Sequence, residues 1–139
     1  MSIQTINPAT EEVIKEYQYS SDAELDGIIK SVHQAYQHWR KTSFKERAQK
    51  MNLLASIVRE RAQALALIIT QEMGKPLQAS LKEVEKCATI CEYYAKHAEE
   101  FLKRRVVKTE MKKSYVCYRP QGIIFAIMPW NYPMWQVFR

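Results

Sequence analysis

Ile123-Ile124-Phe125-Ala126-Ile127-Met128 is an unbroken apolar run, closed on both sides by residues that cannot continue regular structure. Arg119-Pro120-Gln121-Gly122 precedes it as a turn. Pro129-Trp130-Asn131-Tyr132-Pro133 follows, and its two prolines fix their own φ and restrict the residue before each. A short apolar run without polar alternation suits a strand buried on both faces, as in a parallel sheet. Such a strand requires a neighbour on each side, and the chain supplies no second run of this kind. Met134 to Arg139 begins a helix of about two turns. The reading is one strand-loop-helix unit of a larger sheet, and therefore a truncated chain or a fragment of a longer polypeptide.

The upstream elements have readable boundaries. Ile3–Ile6 and Glu12–Tyr19 read as a hairpin around Asn7-Pro8-Ala9-Thr10, where Pro sets φ and Asn suits the first turn position. Three helices follow. The first opens on the capping box Ser21…Glu24 and carries Leu25, Ile28, Ile29, Val32, Ala35, Tyr36 and Trp39 as an apolar stripe. The second opens on Ser43…Glu46, presents Met51, Leu54, Ala55, Val58, Ala62, Leu65 and Ile69, and ends at Gly74-Lys75-Pro76. The third runs from about Leu77 to about Arg105, with Leu81, Val84, Ala88, Cys91, Ala95, Ala98 and Leu102 on one face. That stripe is rich in Ala and Cys, which argues for close packing inside a larger body rather than a coiled coil. Residues 106–119 are rich in Val, Tyr and Thr and read as a second hairpin bending at Lys112-Lys113-Ser114, its charges suiting an exposed or edge position. The organisation is thus 1–105 (hairpin and helices), 106–119 (a β-hairpin arm) and 120–139 (first strand, loop and helix of a sheet), in an α/β fold.

Composition excludes several classes. With 47% hydrophobic and 26% charged residues among 139, the chain is that of an ordinary globular protein. No apolar run approaches the ~20 residues needed to span a bilayer, and the start lacks the pattern of a secretory signal, so no membrane partner is expected and the cytoplasm is the default location. The formal charge is +6. Lys and Arg are interleaved with Glu on the helices, so nucleic acid is not expected. Lys103-Arg104-Arg105 sits at a helix end, where cations favour the negative pole of the dipole. Cys87, Cys91 and Cys117 cannot all pair, and His33, His38 and His97 have no metal-ligand spacing, so no metal is expected and reduced, packed thiols are the reading.

The chemistry lies at residues 127–139. In open α/β sheets ligands bind beyond the carboxyl ends of the strands. Asn131 stands there on a loop held by two prolines, and a neutral amide donates to a developing oxyanion without titrating. Trp130 offers a flat apolar wall. Arg139, about two helical turns on, presents a guanidinium suited to a carboxylate. Taken singly, each has a plainer reading: a turn residue, a packed aromatic, a solvated cation.

Arg119-Pro120-Gln121-Gly122 through Pro129-Trp130-Asn131-Tyr132-Pro133 resembles the aldehyde dehydrogenase superfamily motif Pro-Trp-Asn-aromatic-Pro. Ile6-Asn7-Pro8-Ala9-Thr10-Glu11-Glu12, Ala35-Tyr36-Gln37-His38-Trp39 and Glu72-Met73-Gly74-Lys75-Pro76 resemble further family segments, in order, over essentially the whole chain. The ending from Trp130 to Arg139 is similar to the bacterial succinate-semialdehyde dehydrogenases. The resemblance implies the N-terminal part of a Rossmann-like cofactor-binding domain. It implies NAD or NADP as cofactor, lined by Ile127, Met128, Pro129, Trp130 and Asn131. Asn131 is also implied as the catalytic oxyanion donor, Arg139 as the holder of the substrate's distal carboxylate, and 106–119 as an arm joining homo-oligomers. The substrate implied is a small aldehyde, succinate semialdehyde. In the family the nucleophilic Cys and general-base Glu lie downstream of the Asn motif, and no glycine-rich nucleotide turn is present among Gly27, Gly74 and Gly122. The expectation is a chain without activity alone. The alternatives are a non-catalytic remnant serving as an assembly module and, less in keeping with the mixed charges, a basic nucleic-acid binder.

Overall fold

A computed structural model describes residues 2–139. The chain runs through hairpin strands β1 (Ser2–Ile6) and β2 (Val13–Gln18), then helices α1 (Asp22–Trp39), α2 (Phe44–Glu60), α3 (Ala62–Met73) and α4 (Leu77–Leu102). Strands β3 (Arg105–Val106) and β4 (Tyr115–Val116) and the short helix α5 (Pro133–Phe138) complete it.

β1 and β2 pair antiparallel, Ser2 opposite Gln18 and Ile6 opposite Val13, with an irregularity between Thr5 and Ile6. The turn forms as its residues dictate: Asn7 Oδ1 accepts from the Ala9 N–H at 2.9 Å, closing an Asx turn. Glu11 takes a left-handed φ of 60°.

Both capping boxes form. Ser21 and Ser43 each accept from the backbone N–H three residues on, and Glu24 and Glu46 accept in return. Gly74 ends α3 at φ 73°, and a Cβ there would lie 3.2 Å from Pro8 Cγ, so the position suits glycine on two counts. The expected second helix is two helices. Arg61 departs to φ −97°, ψ 11°, yet its N–H still bonds Ile57 O and its own carbonyl receives the Leu65 N–H, both at 3.0 Å. The hydrogen-bond ladder therefore crosses the kink. The third expected helix ends at Leu102, short of Arg105, because Lys103 is already extended at ψ 151°.

The core lies where α2 and α3 meet α4. Ala55, Val58, Ala66, Ile69, Val84, Cys87, Ala88 and Cys91 are buried there. Most are small, so the helix axes can approach closely. Arg59 on α2 reaches Glu85 at 3.0 Å and also pairs with Glu92, about two turns further along the same face of α4, and ties the two helices outside the core. Ser80 is buried in contact with Thr70, hydroxyl to hydroxyl at 3.1 Å, which satisfies both where α3 meets α4.

Three stretches differ from expectation. The α1 stripe is uncovered: Leu25, Ile28, Ile29 and Val32 are all exposed, and the helix has no buried residue. Residues 123–128 pair with no strand among the described residues, and Ile124, Phe125 and Ile127 are 87, 87 and 81% exposed. Sheet pairing is a contact between strands, so an apolar run marks the capacity for it, while the neighbour must come from elsewhere. The arm is a shorter ladder than its composition promised, with Arg105 opposite Val116 and Val106 opposite Tyr115. It bends at residues 110–112, slightly ahead of the expected Lys112-Lys113-Ser114.

Candidate functional site

Asn131 sits in the turn between the apolar run and α5, and α5 lies on α4. Met134, Trp135 and Phe138 pack against the helical core. Lys86 Nζ stands 3.7 Å from the Trp135 ring centroid. Tyr94 donates to the Arg139 carbonyl at 3.5 Å. These contacts fix the helix to which the Asn131 loop is joined.

The loop itself is held by two buried charges, 7 and 3% exposed, that sequence reading did not single out as site residues: Lys75 and Glu83. Lys75 projects from the turn after α3, Glu83 from the first half of α4, and the two form an ion pair. The same Lys75 ammonium donates to the backbone carbonyl of Asn131 at 3.2 Å and stands 3.7 Å from the Tyr132 ring centroid. The second oxygen of Glu83 accepts the backbone N–H groups of Met134 at 3.2 Å and Trp135 at 3.1 Å. Helix α5 has Pro133 at its start and no side-chain cap of its own. Glu83 therefore acts as a cap supplied from another helix, with its negative charge at the positive end of the dipole. A signal was available: Glu83 lies among Ser80, Val84 and Cys87, so a carboxylate stands on the buried face of α4. Buried charges persist only when paired and hydrogen-bonded.

The main chain at 131–135 is thus pinned, while the Asn131 side chain is exposed and makes no hydrogen bond among the described residues. It is free to donate outward. Ile127 and Trp130 are 81 and 73% exposed, Pro129 is exposed and Met128 half-buried, so the apolar residues leading to Asn131 are open to solvent. On its other side Trp130, with Pro133 and Met134, lines a cleft of about 520 Å³ against Ile6 and α3 residues Leu65 and Ile69. Arg139 caps the far end of α5 through its N–H to Trp135 O at 3.0 Å. Asn131 and Arg139 therefore flank opposite ends of a six-residue helix about 9 Å long. No contact joins them, and the Arg139 side chain is exposed.

Cys87 and Cys91 are unsuited to act as nucleophiles. Cys87 and Cys91 are fully buried, and Cys117 is exposed on the arm. Burial, reinforced by the nearby Glu83 carboxylate, pushes the Cys87 thiol up to about 11, and burial also raises Cys91. No group of three His, Cys, Asp or Glu among the described residues is arranged to hold a metal. No helix among them is long and apolar enough to cross a membrane.

Comparison with known proteins gives a consistent result. The model of the aldehyde dehydrogenase family matches residues 1–139. A succinate-semialdehyde dehydrogenase of Mycobacterium tuberculosis, named for NADP(+), is 40% identical over 142 aligned positions that take in 100% of this chain and 31% of the relative. A succinate semialdehyde dehydrogenase of Escherichia coli, named for NAD(P)+, is 36% identical over 97% of this chain and 29% of its own length. The crystal structure of succinic semialdehyde dehydrogenase from Streptococcus pyogenes in complex with NADP+ superposes with a TM-score of 0.91 at 34% identity, over 97% of this chain and 30% of that one. The chain spans about a third of the length of the curated relatives it matches.

Proposed function

The chain belongs to the aldehyde dehydrogenase family, and from that premise we propose that it is the N-terminal segment of an NAD(P)-dependent enzyme oxidising succinate semialdehyde to the carboxylic acid. The observation that carries this reading is the Asn131 amide, free to donate on a loop whose main chain is held by Lys75 and Glu83. A pre-positioned neutral donor of this kind stabilises the oxyanion formed when a nucleophile adds to an aldehyde carbon. Arg139 takes the distal carboxylate of the substrate. Its place at the opposite end of α5 suits a substrate with its two functional ends apart.

The cofactor is NAD or NADP, and the names of the relatives favour NADP. The open apolar surface of Ile127, Met128, Pro129 and Trp130 fits the flat face of a nicotinamide ring and its ribose. When bound, that ring supplies the hydride acceptor. Gly27, Gly74 and Gly122 form no glycine-rich turn, so these residues account for the nicotinamide end alone. The nucleophilic thiol and the general base belong to chain beyond residue 139. Residues 106–119 are the oligomerisation arm of a cytoplasmic homo-oligomer, 1–105 the hairpin and helices of the cofactor-binding domain, and 120–139 the opening of its sheet. Neither nucleic acid nor membrane is a partner.

Two assays test this. The 139-residue chain with succinate semialdehyde and NADP or NAD should give no sustained rise in reduced cofactor. A chimera in which it replaces the matching N-terminal 31% of the mycobacterial relative should turn over. Turnover by the chain alone contradicts the division of labour, and a well-folded but inactive chimera contradicts the assignment. A second reading, a non-catalytic assembly module, is favoured by the exposed apolar face of α1. Gel filtration separates the two: a discrete oligomer of the isolated chain supports the module.

A further inference from the structure

We infer that Lys75 and Glu83 are positioning residues for the Asn131 amide, a buried clamp that sets where the side chain of Asn131 starts and which way α5 leaves it. The inference rests on Asn131 being the oxyanion donor. Its physical basis is the way every donor and acceptor of the pair is committed. Lys75 has three N–H donors. One goes to Glu83, one to the Asn131 carbonyl at 3.2 Å, and the ammonium lies 3.7 Å from the Tyr132 ring centroid. One Glu83 oxygen faces Lys75, and the other accepts two successive backbone N–H groups, of Met134 and Trp135. Pro133 lacks an N–H, so these are the first two donors that α5 presents.

Asn131 is therefore held from both directions along the chain. Its carbonyl is fixed by the cation, and the helix that follows is fixed by the anion. What remains mobile is the side chain itself, two torsions long. Catalytic donors must be held to within about 0.5 Å of their productive position. An apolar pair of equal volume would fill the space under the loop without directing either group. The two charges are also not interchangeable. A carboxylate at position 75 has no proton for the Asn131 carbonyl, and an ammonium at 83 cannot accept from Met134 and Trp135.

That asymmetry gives the test, read by NMR on the ¹⁵N-labelled 139-residue chain and so independent of any activity. In the wild-type chain the Met134 and Trp135 amides should exchange with solvent at least about tenfold more slowly than unprotected amides. Free-chain exchange at both overturns the clamp without any variant being made. Glu83→Gln should speed both amides and move the Asn131 side-chain NH₂ signals, while signals from Ala55, Val58 and Ala88 stay in place. The double variant Lys75→Glu with Glu83→Lys separates positioning from simple charge pairing. A clamp predicts that Asn131, Met134 and Trp135 remain displaced even where the thermal midpoint recovers. Return of those signals to their wild-type positions in the exchanged variant overturns the inference. Failure of the clamp leaves the proposed activity standing, because the activity is read by turnover of the chimera and the clamp by the position of one amide.

Discussion

Residue chemistry decides most of what the site can do. Cys87 and Cys91 are held protonated by burial, and Cys117 is exposed on the arm. A thiol reagent such as iodoacetamide near pH 8 should therefore label Cys117 alone, with Cys87 and Cys91 reacting only on unfolding. Labelling of all three at equal rates in the folded chain contradicts their burial. Because the folded Cys87 value lies above its ordinary 9.0, its contribution to stability is complete below 9.0 and is lost as pH rises toward about 11. Lys75 and Glu83 carry the larger stake. Removing one partner of a buried pair leaves an uncompensated charge, so Lys75→Met should cost about 3–5 kcal/mol in chemical denaturation. An unchanged midpoint would show that water already serves the pair. Asn131 and Trp130 were legible because prolines frame them in sequence. Lys75 and Glu83 were not, because their partners lie 56 and 51 or 52 residues away along the chain.

Elements were legible where one turn of sequence contains both partners of an interaction. Ser21 with Glu24 and Ser43 with Glu46 announced the starts of α1 and α2, and Gly74 the end of α3. The kink at Arg61 was not, since neither Pro nor Gly marks it and packing on α4 has to decide it. Hydrogen bonds from the Ser21 and Ser43 backbone, and then from their hydroxyls, hold the Glu24 and Glu46 carboxyls below the ordinary 4.5. Depressed folded values mean that the caps contribute fully above pH 4.5 and weaken as pH falls below it. Helical circular dichroism should decline over that range in wild type and less steeply in a Glu24→Gln, Glu46→Gln variant. Equal slopes contradict the assignment of the loss to the caps. Gly74→Ala places a Cβ on a left-handed residue, 3.2 Å from Pro8. It should cost about 1–2 kcal/mol in the unfolding midpoint, whereas a stabilising effect would mean that the turn has room to relax.

At the scale of the molecule, the chain builds a small helical core and leaves two apolar surfaces open, the stripe of α1 and the run at 123–127. Both were visible as patterns, and neither could be placed, because periodicity reports that a face is apolar and is silent on what covers it. Exposed surface of this extent should bind the dye ANS and promote association of the isolated chain, and covering it in the chimera should abolish both. A monomeric chain that binds no dye contradicts this. Most of the proposed chemistry depends on Asn131, and one number tests it: kcat of the chimera for succinate semialdehyde, with Asn131 intact and as Asn131→Ala. Loss of an oxyanion donor predicts a fall of roughly 10²–10³, with the affinity for NADP little changed. An Asn131→Ala chimera that keeps the parent kcat would show that the amide on this loop stabilises nothing in the reaction.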